Sequence, residues 1–126
     1  MGQAAAKKGD RIVASDTHVV RVFGISTPMT FPFNGLIDGG LSPNVNVMGR
    51  PAATVGSTAT NTPPHTTERG RFQRPPSNRG QIIEGSQRVF INGKPAARAG
   101  DPALTCNDPA DQPVGRVVAS GTVYIG

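Results

Sequence analysis

Nine residues, GKPAARAGD from Gly93 to Asp101, constrain this chain most, because they occur twice. A looser copy, GRPAATVGS, runs from Gly49 to Ser57. Each copy follows a short alternating run, VFIN at Val89–Asn92 and VNVM at Val45–Met48. A third such run, VYI at Val123–Ile125, ends the chain with no copy after it. A unit repeated at this spacing implies one supersecondary element stacked on itself. Within the motif, proline fixes the backbone at the exit of a strand, paired alanines permit close approach, and glycines allow turns closed to other residues.

The runs align as three turn-flanked hairpins, GLID…VNVMG, GQIIEGSQRVFING and GRVVASGTVYIG, in units of about residues 35–57, 80–101 and 115–126. No stretch shows a sustained helical apolar period, and the fold class is read as all-β with pseudo-threefold symmetry. Side chains alternate along a strand. Val45/Val47, Val89/Ile91 and Val123/Ile125 therefore share one face, and Asn46, Phe90 and Tyr124 take the other. Residues 9–126 form a single domain and residues 1–8 are read as a flexible lead. The segment from Ile25 to Asn34 is read as a proline-interrupted connection with exposed Phe31 and Phe33, and residues 58–79 as a long loop.

Hydrophobic residues make up 36% of the chain, against 16 Gly and 12 Pro, so a core alone would hold it weakly and a further staple is expected. One cysteine excludes an internal disulfide. The candidate staple is a metal. His18 and His65 each follow a Gly-Asp or Gly-Ser step by eight residues, and Cys106 follows its own by five. The symmetry would bring these three, the chain's only histidines and cysteine, to one axis. Imidazole and thiolate suit Zn²⁺. Asp16, Asp108 or water could complete the set.

The formal charge is +5, partly concentrated in ERGRFQRPPSNRG. Arginines around Phe72 are one ingredient of single-strand binding. A solvated, proline-stiffened loop is the simpler reading, and no nucleic acid is expected. The N-terminus lacks an apolar signal region, so synthesis and folding in the cytoplasm are expected. Lys94 after Gly93 lacks the spacing of a phosphate loop. With no nucleophile–base or paired-carboxylate pattern and no small-molecule substrate implied, the chain is read as non-enzymatic.

Pro95-Ala96-Ala97-Arg98, its partner Pro51-Ala52-Ala53-Thr54, the flanking GSQRVFING and Gly-Asp steps, and the His/His/Cys set resemble the PAAR-repeat proteins. These are the spike tips of contractile injection systems: type VI secretion, phage-like tails and extracellular contractile particles. The resemblance covers about residues 9–126. It implies a small cone of β-hairpins, metal-stapled with zinc near its point, seated on a homotrimeric β-helical spike and delivered outside the cell within the particle. The family site commonly has three histidines and a cysteine, one histidine more than this chain holds. The resemblance further implies a membrane-puncturing structural role, here as a bare tip without a fused toxin. One tip per trimer is expected, monomeric when free, with Phe90 and Tyr124 docking on the spike and Asn46 a weaker third contact. The alternative is a free metal-stabilised β module that binds nucleic acid or another polyanion through the basic loop at 69–79.

Overall fold

A computed structural model describes residues 2–126. Among them thirteen strands follow one another: β1 (Gln3–Ala4), β2 (Arg11–Val22), β3 (Ile25–Gly39), β4 (Asn46–Val47), β5 (Arg50–Pro51), β6 (Thr58–Asn61), β7 (Arg71–Phe72), β8 (Arg79–Ile82), β9 (Phe90–Ile91), β10 (Lys94–Pro95), β11 (Pro102–Thr105), β12 (Gln112–Val118) and β13 (Tyr124–Ile125). The described residues contain no helix, and the fold is an all-β cone. Six antiparallel strands close a small barrel in the order β12-β11-β8-β6-β3-β2, with β12 returning to β2 through Val117↔Ile12. Closure leaves the barrel no free sheet edge to manage. At one end sit three two-stranded ribbons, β4–β5, β9–β10 and β13–β1.

The third ribbon corrects the flexible lead expected at residues 1–8. Met1 lies outside the described residues, but from Gly2 onward the segment is built into the fold. Gln3 pairs with Ile125 and Ala4 with Tyr124, so the opening residues of the chain complete the hairpin that its final strand begins. Ala4 to Asp10 is the third motif copy. Lys7 and Asp10 repeat the contact of Arg98 with Asp101: Asp10 Oδ2 accepts the Lys7 N–H at 3.0 Å, and Asp101 Oδ2 accepts the Arg98 N–H at 2.8 Å. In the looser copy Ser57 Oγ accepts the Thr54 N–H at 3.0 Å. Gly9, Gly56 and Gly100, at φ between 88° and 96°, make the same left-handed turn in all three copies.

The motif's alanines explain themselves at the pseudo-axis. The Ala6 N–H donates to the Ala97 carbonyl (2.9 Å), Ala97 donates to Ala53 (3.0 Å), and Ala53 donates back to Ala6 (3.0 Å), closing a ring of three backbone hydrogen bonds. Backbones this close leave room for little beyond a Cβ, and Ala6, Ala53 and Ala97 are all buried. Below the ring Ala5, Ala52 and Ala96 pack against Val47, Ile91 and Ile125 from the ribbons. Above it the barrel interior holds Ile37, Ile82, Val117, Ile12, Ala59 and Ala103, then Phe33 and Cys106.

The connection expected at 25–34 is also corrected, because β3 runs unbroken from Ile25 to Gly39 and pairs with β2 over its first twelve residues. The prolines do not interrupt it. The Asn34 N–H points away from β2, to Asn61 Oδ1 at 2.8 Å. Pro28 and Pro32 share its parity, so their missing N–H groups fall on the side where β6 does not reach. Phe33 is buried rather than exposed because its side chain takes the face of β3 that looks into the barrel.

The ring makes a sharp demand on the first residues of the chain. Ala6→Leu should overfill the axis and lower stability by roughly 1–3 kcal/mol, read as a fall in the urea midpoint with little change in slope. A free lead would tolerate that substitution.

Candidate metal centre

Alternation along β2 sends Asp16 and His18 to the same inward face. His65 arrives from the segment after β6 and Cys106 from the residue after β11. One ligand atom from each of Asp16, His18, His65 and Cys106 lies within 4.8 Å of the others, and all four residues are buried. The structure thus gathers His18, His65 and Cys106 from three different loops and strands, and adds Asp16. It leaves the other candidate carboxylate, Asp108, outside the cluster, facing His18 Nδ1 at 3.7 Å.

The four are held by polar neighbours that sequence reasoning did not single out. Asp16 Oδ1 accepts from Thr105 Oγ1 at 2.5 Å and from Asn107 Nδ2 at 3.4 Å. Its Oδ2 lies 2.7 Å from His65 Nε2 and accepts from the Cys106 thiol at 3.5 Å. Asn61 Nδ2 lies 3.2 Å from His65 Nδ1, and the Nε2 edge of the ring faces the cluster. Asn78 Oδ1 accepts from the His65 N–H and from Asn61 Nδ2. On the far side of His18, Asp108 Oδ2 accepts the Val19 N–H at 2.7 Å and Oδ1 pairs with Arg74 Nε at 3.3 Å.

The observation that points to a cation is His18. Both its ring nitrogens are buried without a hydrogen-bond partner. A buried polar group in that state costs about 1–3 kcal/mol. A metal on one nitrogen, with the other turned to Asp108, removes that cost. Burial pushes the His18 pKa below its ordinary value, against the opposing pull of Asp108, so the ring is neutral and its lone pair free at neutral pH. Burial, reinforced by the Asp16 carboxylate, pushes the Cys106 thiol up to about 11. A bound cation reverses that balance and displaces the proton. Two anions and two neutral imidazoles then cancel a divalent charge.

Aromatic rings wall the site. Phe31 and Phe72 each stand 5.8 Å from the His18 ring, and Phe31 is also 5.5 Å from that of His65. Phe72 belongs to the segment expected to be a solvated loop. Instead β7 pairs with β2 through Val20↔Phe72, and Arg74 Nη2 donates to the Asn107 carbonyl at 2.7 Å. Residues 71–78 therefore form a lid over the site.

These roles separate by mutation. Asp16→Ala should abolish metal binding and also strand Thr105 and His65, costing about 3 kcal/mol or more. Asp108→Asn should keep the four ligands and the stoichiometry but weaken metal affinity roughly 10–100-fold, as read by competition with a chromophoric chelator.

A family model described as PAAR motif matches residues 34–104 and again residues 73–126. No curated protein matches the chain. The matched residues include two of the three motif copies and the ribbons they close, and this chain belongs to the PAAR-motif family.

Proposed function

We propose that this chain is the tip of a contractile injection machine's spike, seated on a homotrimer and made rigid by one zinc ion. The family's role is structural, and a non-enzymatic reading follows. The observation that carries it is the threefold set of surfaces around the alanine ring. Val45, Val89 and Val123 occupy equivalent places before the three ribbons and are exposed to nearly the same degree, 36%, 38% and 40%. One chain thereby offers three similar apolar contacts to three identical subunits, which a single point on a trimer's axis requires. Phe90 and Tyr124, 57% and 65% exposed, with exposed Asn46 at the equivalent place, supply the unequal part of the contact. Aromatics of this kind dominate interface energies.

Zinc is favoured for the centre because two imidazoles, a thiolate and a carboxylate make a four-donor N/S/O set of the kind it takes in closed sites. Its residues Asp16, His18, His65 and Cys106 would hold the metal, whose chemistry there is to crosslink the barrel at the end away from the ribbons. The particle would be assembled after synthesis in the cytoplasm and delivered outside the cell. The competing reading, a polyanion-binding module using residues 69–79, loses its stacking platform, since Phe72 is packed on His18.

Mixed with a trimeric spike encoded beside it, the protein should form a complex of one tip to three spike subunits by mass, and the free tip should be monomeric. Phe90→Asp should weaken capping by roughly 30-fold or more while leaving the melting temperature unchanged. A homotrimer of this chain alone would overturn the scheme. Elemental analysis should find about one zinc per chain, and Cys106→Ser should lower both metal content and melting temperature.

A further inference from the structure

The metal cluster is not the far end of the molecule. His18 pairs with Met29, and four more ladder pairs, from Val19↔Pro28 to Val22↔Ile25, carry β2 and β3 beyond it. At strand rise that is roughly 13 Å of additional hairpin. It ends in a Phe23–Gly24 turn. We propose that this end is a lipid-contacting point, which enters the interface of a bilayer rich in anionic phospholipid. The inference deepens the spike-tip reading, and rests on it for the direction in which the point faces.

Phe23 is the first observation. Its φ is 51°, and its side chain is 98% exposed. A left-handed turn position suits Gly or Asn, and the β9–β10 turn has Asn92 there at φ 53°. Phenylalanine at such a place gives up backbone stability and, in this chain, gains no internal packing for it. Ile25, the cross-strand neighbour of Val22, is 67% exposed. Cross-strand neighbours share a face. Val22, Ile25 and Met29 therefore extend the apolar strip from Phe31 to the turn, along a groove of about 510 Å³ that Arg69 also lines.

Charge is the second. Arg21 and Arg71 stand directly opposite each other in the β2–β7 register. Like charges so placed repel, and among the described residues neither these two nor Arg69 is in a salt bridge. Arg21 Nε donates to Ser26 Oγ at 3.3 Å. The nearby acidic side chain is Glu68, on the groove with Arg69, so the cations outnumber it. An exposed apolar end with a basic collar matches the layered chemistry of a membrane interface, phosphates outside and hydrocarbon beneath. A nucleic-acid strand would need successive exposed aromatics along a groove. Here Phe31 and Phe72 are committed to the histidines, and Phe23 stands alone.

The test uses the full metal-loaded chain in flotation with vesicles of phosphatidylcholine alone, or containing roughly one third phosphatidylglycerol. The protein should float with the anionic vesicles and not with the neutral ones. The double variant Arg21→Ser, Arg71→Ser should lower the partition roughly fivefold per arginine. Phe23→Asn should lower it at least about tenfold, with melting temperature unchanged or raised, because Asn suits the turn. The idea is overturned if the wild type stays behind, or if Phe23→Asn floats as the wild type does. Displacement from the vesicles by inorganic phosphate or by a single-stranded oligonucleotide at equal charge would also sink it, assigning the arginines to a free anion or a polynucleotide. Capping of the spike by Phe23→Asn, measured by mass, reports separately on the spike-tip reading, which fails if the wild type cannot cap whatever the vesicles show.

Discussion

Three backbone hydrogen bonds, Ala6 to Ala97, Ala97 to Ala53 and Ala53 to Ala6, bring three chain segments into contact on one axis. Each such bond contributes only about 0.5–1.5 kcal/mol net, but a buried backbone group left without a partner costs more than that. The ring is therefore all or nothing, and it admits no side chain much larger than a methyl. Once the segments meet there, their turns must coincide. The copies share the left-handed glycine, the side-chain acceptor of the fourth motif residue's N–H, and one backbone bond donated by that glycine, Gly9 to Ile37, Gly56 to Ile82 and Gly100 to Val117. The layers of the barrel stack on that common footing.

Symmetry decays with distance from the ring. Ile12, Ala59 and Ala103 still occupy equivalent places two residues past the motif's last residue, yet they differ in size, and Phe33 occupies space in the same core. By the level of the cluster the equivalence has gone. His18 and His65 come eight residues after their turns, Cys106 five, and Asp16 shares a strand with His18. A barrel this narrow has little apolar volume left near its end. Asp16, His18, His65 and Cys106, braced by Asn61, Asn78, Thr105 and Asn107, could hold a cation there, which would supply cohesion that burial cannot. Phe72 packs on His18 and Arg74 pairs with Asp108, so the 71–78 segment covers the site on that side.

The two ends of the molecule consequently differ in chemistry. The ribbon end repeats an aliphatic triad of matched exposure, Val45, Val89 and Val123. The hairpin end has one point, apolar and ringed by arginine, with no symmetry at all. A single chain can carry such a pair of ends because its repeats are free to diverge wherever the axis no longer forces them together.

Sequence and tertiary structure divide the explanation along that line. Periodicity, turn residues and the repeated motif determine an all-β chain of hairpins with approximate threefold symmetry, because pleat alternation and glycine turns are local properties. The same local logic made the histidines and cysteine readable as one candidate set, with Asp16, Asp108 or water left open as its fourth member. The motif copy at Ala4–Asp10 was equally written out, as Ala-Ala-Lys-x-Gly-Asp beside Ala-Ala-Arg-x-Gly-Asp, but lacked a preceding strand and so passed for a lead. Only the closed structure supplies that strand, from the other end of the chain, through Gln3↔Ile125. Proline parity in β3, the burial of Phe33, the exclusion of Asp108 from the cluster and the docking of Phe72 on His18 were likewise decided in three dimensions. Each depends on which edge of a strand is left open and which loop reaches it, and those are pairings between residues far apart in sequence.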